Sequence, residues 1–501
     1  MEGTGTLPAG LRLAVQRQPT GAAITASGES VTFAELWARS TAFATRLTAE
    51  GLSPGDRVAI ATDNACQFTS VYFGTLMAGG IAVPLNPAAR PAESNVWIQD
   101  CEPKFLVLGE TSSAFAEAHA SHGKRPKLIY SFELKRWYGS EIAGRPLPFP
   151  DARQPACIQY TSGSTGNPKG VLLSHRNLFS NATAIVRYLN LTAADIGVTV
   201  LPFWYAYGSS VLNTHLLVGA SLFFEASMSF PRMVAERIVN EQATGFAGVP
   251  STFALMLARA SIADLDFSSL RYITQAGAPM PQSLAKRLAQ AFPKTSIFVM
   301  YGQTEATSRI SYLPPQDYAR KAGSVGIPID GTEVQVRNDQ GARCEPGVVG
   351  EIWVNGPGVM QCYWHNPQAT SDVLVNGWLK TGDVGYLDTD GYLHLSGRRS
   401  DIIKVGAHRV NPLDVESVIG EISSVEEVAV VGCDDEVLGQ VIRAFVVVRL
   451  GETLTTRAIR RHCAERLAPH KVPRDVVFLA ALPKTSSGKV KRGELMEAQD
   501  T

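Results

Sequence analysis

Short apolar runs of strand length alternate with longer segments of helical period through the first part of the chain. Residues 58–61 are followed by 67–77 and then by 81–83, and residues 221–224 are followed by 230–242. Strands that alternate with helices in this way usually lie parallel in a sheet whose faces the helices cover. The pattern therefore predicts layered α/β structure.

Strand-length runs beyond residue 330 follow one another closely, with glycine, proline and aspartate turns between them. Residues 333–337, 350–354 and 392–395 are such runs. Strands joined by short turns pair antiparallel, so a β-rich subdomain is predicted here. The 501 residues exceed the roughly 250–300 at which a single core stops growing. We therefore predict a large domain, 1–397, and a small domain, 398–501.

The predicted small domain mixes two kinds of pattern. Residues 412–419 and 456–467 have helical spacing, whereas 428–431 and 442–448 are apolar runs of strand length. This part of the chain is therefore predicted to be a small α+β unit.

The charge balance excludes several kinds of partner. Lysine plus arginine number 46, as do aspartate plus glutamate, so no basic field attracts nucleic acid or anionic lipid. The seven cysteines lack C-x-x-C spacing, which is typical of reduced thiols. No export signal and no apolar run long enough to span a membrane is evident. A cytoplasmic location is predicted.

The segment from Tyr160 to Gly170 is rich in small and hydroxylated residues, and it precedes residues 175–182, which are predicted to form a helix. Its backbone amides can approach an anion, its hydroxyls can donate to phosphate oxygens, and Lys169 adds a positive charge. The residues predicted to line this phosphate loop are Thr161, Ser162, Gly163, Ser164, Thr165, Gly166 and Lys169. A flexible surface linker would not lead from a lysine directly into an apolar run.

The phosphate loop departs from the P-loop NTPase pattern. Counted from Gly163, that pattern requires glycine at 168 and serine or threonine at 170, but the chain has Pro168 and Gly170. A loop of another kind is predicted, which disfavours an ADP-forming kinase or a P-loop ATPase.

This loop resembles the signature loop of the adenylate-forming superfamily, which contains acyl-CoA synthetases, adenylation domains of peptide synthetases and luciferases. Further blocks follow in the family's order along nearly the whole chain. The resemblance implies an enzyme that uses ATP and Mg²⁺ to activate a small-molecule carboxylic acid as an acyl-adenylate, and then transfers the acyl group to a thiol. It also implies a large region of layered α/β subdomains plus a β-rich subdomain, followed by a small mobile α+β domain.

The resemblance implies that four further blocks bind the nucleotide. In Tyr301-Gly302-Gln303-Thr304-Glu305 the aromatic ring stacks on adenine and the glutamate holds Mg²⁺. A small-residue turn borders adenine, an aspartate accepts hydrogen bonds from ribose, and an arginine contacts ribose and phosphate. The ATP-binding residues so implied, besides the loop, are Gly277, Ala278, Tyr301, Gly302, Thr304, Asp383, Arg398 and Lys489.

The resemblance assigns the chemistry to Thr161, Glu305 and Lys489, the last of which bridges the substrate carboxylate and the α-phosphate. Ser400 is implied as the hinge about which the small domain rotates. After rotation, the thiol tunnel is lined by Gly406, Ala407, His408 and Arg409. The family usually has glycine in place of Ala407, so the width of the tunnel stays open.

The block from Leu201 to Gly208 resembles the opening of the family's acyl site. Domains that activate α-amino acids place an aspartate at the position of Ala206, so the substrate is predicted to lack an α-amino group. The residues predicted to line the acyl pocket are Trp204, Tyr205, Ala206, Tyr207 and Val249. Their side chains favour an apolar or aromatic acid.

The sequence leaves the acceptor thiol open. A ligase that loads the phosphopantetheine of an acyl carrier protein has the same blocks as a CoA ligase. A luciferase-like oxygenase shares the fold, but no residue here distinguishes it. A non-enzymatic acyl-nucleotide sensor could dispense with Glu305 and Lys489, which this chain retains.

Overall fold

The computed structural model of the protein describes residues 5–112, 115, 126–138, 148–161, 168–401, 403–406, 408–435, 437–484 and 490–497. The strands within these residues are β1 (Ala22–Ala26), β2 (Glu29–Thr32), β3 (Arg57–Ala61), β4 (Ile81–Pro84), β5 (Phe105–Leu108), β6 (Lys127–Tyr130), β7 (Pro155–Thr161), β8 (Lys169–Ser174), β9 (Ile196–Thr199), β10 (Ser221–Phe224), β11 (Gly245–Gly248), β12 (Tyr272–Gln275), β13 (Ser296–Tyr301), β14 (Ser311–Leu313), β15 (Ile327–Pro328), β16 (Glu333–Arg337), β17 (Gly350–Asn355), β18 (Cys362–Tyr363), β19 (Leu374–Val375), β20 (Trp378–Leu387), β21 (Leu393–Arg398), β22 (Ile403–Val405), β23 (His408–Val410), β24 (Val425–Asp435), β25 (Gly439–Val448) and β26 (Asp475–Phe478).

The helices within the same residues are α1 (Leu7–Arg17), α2 (Phe33–Ala49), α3 (Ala65–Met77), α4 (Pro91–Cys101), α5 (Ser131–Tyr138), α6 (His175–Leu189), α7 (Ala206–Val218), α8 (Pro231–Asn240), α9 (Pro250–Arg259), α10 (Gln282–Ala291), α11 (Pro367–Val373), α12 (Pro412–Ile419), α13 (Thr456–Ala464) and α14 (Arg492–Glu497).

The first sheet has the strand order β15-β14-β13-β12-β11-β9-β10-β1-β2. Its strands from β13 across to β1 run parallel, and the edge strands β14, β15 and β2 are antiparallel. The central parallel strands therefore end together at one edge, where ligands of α/β proteins usually bind.

The second sheet has the order β18-β8-β7-β4-β3-β5-β6. Strands β3 to β7 are parallel, whereas β8 and β18 are antiparallel. Helix α3 contacts strands of both the first and the second sheet, and all its residues are buried. Burial on every side explains why this helix has almost no polar face.

The third and fourth sheets belong to the later part of the chain. The third, β16-β17-β20-β19 with β21 beside β20, is wholly antiparallel. The fourth has the order β23-β22-β25-β24, and β26 joins β25 in parallel. Helices α12 and α13 pack with the fourth sheet around an apolar core.

The predicted α/β layers, β-rich subdomain and small α+β unit are confirmed. Helix α12 and strand β16 have the predicted bounds. Helix α6 is longer than predicted, reaching Leu189, because its buried apolar stripe continues beyond residue 182. No helix in the described part of the chain is both long and apolar enough to cross a membrane.

Candidate active site

The phosphate loop joins two antiparallel strands. Thr161 ends β7 and Lys169 begins β8, and the two residues are register partners. Ser162, Gly163, Ser164, Thr165 and Gly166 lie outside the described residues. The sequence predicted a loop that leads through an apolar run to the helix at 175, and the structure shows that this run is strand β8.

Helix α6 is therefore separate from the phosphate loop, and its first turn is already capped. The Ser174 hydroxyl accepts from the Asn177 backbone N–H, and the Asn177 side chain accepts from the Ser174 backbone N–H. A capping box satisfies helix N–H groups that could otherwise bind an anion. The Asn177 N–H in the first turn of α6 thus already has a partner within the protein.

Tyr363 connects Lys169 to Glu305. The Lys169 Nζ atom lies over the Tyr363 ring, 5.1 Å from its centroid, and the Tyr363 hydroxyl donates to Glu305 Oε1 at 2.8 Å. Burial raises the pKa of Tyr363, and the Glu305 carboxylate raises it further. The phenol therefore remains a hydrogen-bond donor at neutral pH. The sequence did not reveal this residue, since it lies 58 positions beyond Glu305 and outside the recognised blocks.

Glu305 lies just beyond the end of β13, on a short 3₁₀ turn of Thr304–Ala306. Gly302 lies just before this turn, at a position that has no space for a side chain. A β-carbon there would lie 1.9 Å from the Ser308 carbonyl oxygen. The Met360 backbone N–H donates to the Glu305 carbonyl oxygen at 2.8 Å. The Glu305 backbone is thus fixed at the ligand-binding edge of the first sheet.

A second cluster joins three strands near the same edge. The Tyr301 hydroxyl donates to Asp383 Oδ2 at 2.5 Å, and Arg398 Nε donates to Asp383 Oδ1 at 2.8 Å. Tyr301 ends β13, whereas Asp383 and Arg398 are register partners on β20 and β21. Burial raises the pKa of Tyr301, and the Asp383 carboxylate adds to that effect. Three residues predicted from separate blocks therefore meet in the structure.

The small-residue turn after β12 borders Val249. Gly277 has a φ of +90°, and a β-carbon there would lie 3.3 Å from Val249 Cγ1. The Gln275 side-chain amide donates to the Ala278 carbonyl oxygen at 2.7 Å. Gly277 and Ala278 are exposed, so a flat ligand can lie against the turn.

Tyr207 lines a cavity of about 20 Å³ between the first sheet and helices α6 and α7. Its hydroxyl lies 2.9 Å from both the carbonyl and the hydroxyl oxygen of Thr274. The other residues predicted for the acyl pocket lie outside the cavity wall and are partly buried: Trp204, Tyr205, Ala206 and Val249. Only one of the five predicted residues therefore reaches this cavity.

Arg309 also lines the cavity, and the sequence did not reveal it. It follows Glu305 by four residues, and its guanidinium lies over the Tyr207 ring, 5.0 Å from the centroid. The available signal in the sequence was a lone charged residue between the block that ends at Glu305 and an apolar strand. That signal is weak without the fold that buries it.

The predicted tunnel residues fall on the hairpin of β22 and β23. Gly406 lies in its turn, and the His408 ring stacks on His470 with 3.9 Å between centroids. Ala407 and Lys489 lie outside the described residues, and for Ser400 and Arg409 the backbone alone is described. Arg399 lies next to the predicted hinge and pairs with Glu351 of the third sheet at 3.1 Å.

Comparison with known proteins supports one family. The protein-family model described as AMP-binding enzyme matches residues 11–364 of this chain. The family model described as AMP-binding enzyme C-terminal domain matches residues 414–489. The long-chain-fatty-acid–CoA ligase FadD13 of Mycobacterium tuberculosis is 32% identical over 480 residues, which is 93% of each chain. The feruloyl-CoA synthase of an Amycolatopsis species is 33% identical over 484 residues, covering 95% of this chain and 96% of the relative. The crystal structure of ATP-bound MatB from Rhodopseudomonas palustris has a TM-score of 0.92 and 29% identity, with 99% of both chains covered.

Proposed function

The chain belongs to the AMP-binding enzyme family of adenylate-forming ligases, and from that membership we propose that it is an AMP-forming acid–CoA ligase. Acyl-CoA ligase activity is supported at the level of the family. The observation that carries the proposal is that β13 and the turn after it bring two pairs, Tyr363–Glu305 and Tyr301–Asp383, to one edge of the first sheet. One pair suits a metal-bound triphosphate and the other suits a ribose.

The ribose would bind at Asp383. Each carboxylate oxygen has two lone pairs. Asp383 can therefore accept hydrogen bonds from both ribose hydroxyls while it keeps its contacts with the Tyr301 hydroxyl and the Arg398 guanidinium. The exposed turn of Gly277 and Ala278 would lie against adenine, with the Tyr301 ring opposite. This assignment uses groups that are already in position before any ligand binds.

The donors present fit Mg²⁺. Across the described ranges, no group of three or more aspartate, glutamate, histidine or cysteine side chains forms a self-sufficient metal site. Mg²⁺ is usually held by one or two carboxylates together with substrate phosphates and waters, and Glu305 is such a carboxylate. Glu305 would hold the ion that arrives with ATP, which screens the charge of the triphosphate.

In the first half-reaction, an oxygen of the substrate carboxylate attacks the α-phosphorus of ATP, and the bond to pyrophosphate breaks. Thr161 and Lys169 would hold the leaving phosphates. Lys489 would bridge the two anions, a kind of contact that contributes about 10²–10³ in rate. This role rests on the match of Lys489 to the last block of the family.

In the second half-reaction, the thiol sulfur attacks the acyl carbon, and AMP leaves with the electrons of the broken acyl–oxygen bond. Rotation about Ser400 would remove Lys489 and bring in the hairpin of Gly406, Ala407, His408 and Arg409. The relatives named above are CoA ligases, which favours CoA over a carrier protein as the acceptor.

The acid is proposed to lack an α-amino group and to have an apolar or aromatic body. Ala206 begins helix α7 with a methyl group where an aspartate would be needed to pair with an ammonium group. Trp204, Tyr205 and Val249 add partly buried apolar surface nearby. The two relatives are named for a fatty acid and for ferulate, so the family alone does not specify the acid.

The test is release of pyrophosphate and AMP from ATP and Mg²⁺ over a panel of fatty, aryl and amino acids, with and without CoA. The proposal predicts turnover with at least one non-amino acid only when CoA is present. Adenylate that stalls with CoA but turns over with a holo-carrier protein would overturn the choice of acceptor. No pyrophosphate with any acid would overturn the ligase.

A further inference from the structure

Arg309 is a buried cation. It is only 3% exposed, and its backbone carbonyl accepts a hydrogen bond from the Asn181 side chain at 2.9 Å. The two residues before it, Thr307 and Ser308, have φ values of +65° and +143°. Such values are costly for residues other than glycine, and strain of this kind is concentrated at functional sites. The chain therefore accepts strain directly before Arg309.

No acidic side chain in the described part of the protein forms an ion pair with Arg309, and its Nε atom has no hydrogen-bond partner there. The effective penalty for burying one such charge is several kcal/mol. Nearby Arg271 differs, since Asp195 pairs with it at 2.8 Å. Among the residues that the structure describes, Arg309 is thus a buried charge without an acidic counter-ion.

The surrounding aromatic rings offset only part of the free-energy cost of burying the Arg309 charge. Arg309 lies over the Tyr207 ring, and its charge opposes the burial that raises the pKa values of Tyr188 and Tyr207. A buried cation–π contact contributes about 2 kcal/mol, less than the cost of burying the charge. An anion next to the Arg309 guanidinium would offset the rest of the burial cost.

The cavity beside Arg309 has room for a small polar group. Its volume of about 20 Å³ exceeds the roughly 10–15 Å³ that one water requires, and is far below the roughly 300 Å³ of a typical small ligand pocket. Most of its wall is apolar, and the side chains of Ser210, Thr214, Thr274 and His215 along it already form hydrogen bonds within the protein, which leaves Arg309 as the group for an anion. A long acyl chain does not fit this space, whereas the end of a short substrate does.

We propose that Arg309 pairs with a second carboxylate of the substrate, so that the enzyme activates a short dicarboxylic acid or a carboxy-substituted aryl acid. This inference rests on the proposed ligase function and narrows it. One carboxylate would be adenylated near Glu305, and the other would lie in the cavity against Arg309. The apolar or aromatic body predicted from Trp204, Tyr205 and Val249 would lie between them.

The experiment compares matched acids that differ only in the second carboxylate: succinate with butyrate, glutarate with pentanoate, and 4-carboxyphenylpropionate with phenylpropionate. The readout is kcat/KM for pyrophosphate release. Loss of one partner of a buried charge pair costs at least about 2 kcal/mol, or roughly 30-fold. The wild-type protein should favour a diacid over its partner by at least that factor, and Arg309→Leu should remove the preference.

Arg187→Leu is the matched control, because Arg187 lies on α6 beside Tyr188 but is exposed and pairs with Asp330. It should keep the wild-type preference. ATP binding by calorimetry verifies that Arg309→Leu folds, and Arg309→Lys, which keeps the charge, should retain part of the diacid preference.

A wild-type preference for monocarboxylates would overturn the inference while the ligase function stands. A diacid preference that survives in Arg309→Leu would also overturn it. No pyrophosphate with any acid would instead overturn the proposed function on which the inference rests.

Discussion

Asp383 and Arg398 face each other across two adjacent antiparallel strands, with 2.8 Å between Oδ1 and Nε. Both residues are positioned by strand register, so their geometry does not depend on a loop. The guanidinium holds the carboxylate in one orientation before a nucleotide binds.

Replacing Asp383 by asparagine should weaken ATP binding. The amide keeps the shape of the side chain but loses the charge and one acceptor, so we expect the KM for ATP to rise about 10- to 100-fold. The KM for ATP is measured from the rate of pyrophosphate release as a function of ATP concentration. Asp390→Asn is the control, since Asp390 pairs with surface cations in the turn after β20. An unchanged KM in Asp383→Asn would remove the ribose assignment.

Replacing Tyr363 by phenylalanine should weaken the metal site. The variant keeps the ring under Lys169 but loses the hydroxyl that orients Glu305 at 2.8 Å. We expect the Mg²⁺ concentration for half-maximal activity to rise about 10-fold, as is typical when an outer partner of a metal ligand is lost. Tyr386→Phe, on β20 beside His394, provides the control. An identical Mg²⁺ dependence in Tyr363→Phe would show that this contact has no role.

Replacing Lys489 by alanine should separate the two half-reactions. Adenylate formation should fall by about 10²–10³ or more, because the two anions lose their bridging cation. Thioester formation from supplied acyl-adenylate and CoA should continue, since the proposed role of this lysine is confined to the first half-reaction. Lys491→Ala, which removes a surface pair with Glu494, should affect neither reaction. Loss of both half-reactions in Lys489→Ala would contradict the assignment.

His175 should make stability depend on pH. It is fully buried at the start of α6, neither ring nitrogen has a partner in the described structure, and burial lowers its pKa to about 4. The unfolded chain, with a pKa near 6.5, therefore binds the proton more tightly than the folded protein. Above pH 6.5 His175 is neutral in both states and the free energy of unfolding is not reduced. As pH falls from 6.5 toward 4, the free energy of unfolding decreases, on the order of 3 kcal/mol in total.

The measurement for this prediction is urea unfolding from pH 7.5 to 4.5 of the wild-type protein and of His175→Gln. The difference between the two free energies of unfolding should change with pH, because the remaining ionisable groups are common to both. A constant difference across this range would contradict the prediction.

The sequence predicted most of the fold because the strands and helices have strong local patterns. The α3 segment is mainly apolar and has no charged residue, which fits a helix buried between two sheets. Asn411 and Pro412 begin α12 where a cap and a first-turn proline are expected. The short strand β8 was missed as a separate element because its apolar residues run directly into the helix that follows.

Compact blocks identified Tyr301, Glu305 and Asp383 as candidate site residues, and the structure brings Tyr301 and Asp383 into contact. The sequence did not identify Tyr363 and Arg309, because their surroundings depend on tertiary contacts. Tyr363 reaches Glu305 only because β18 pairs with β8, and Arg309 becomes a buried charge only when α6 and α7 cover the first sheet. No local spacing encodes either contact.

The most direct test of the account follows oxygen from the acid into the nucleotide. An acid that supports pyrophosphate release is labelled with ¹⁸O in its reacting carboxylate, and the products formed with ATP, Mg²⁺ and CoA are analysed by mass spectrometry. Attack of the carboxylate on the α-phosphorus predicts one ¹⁸O atom in AMP and none in pyrophosphate. Label in inorganic phosphate, with ADP as the nucleotide product, would contradict the adenylate mechanism.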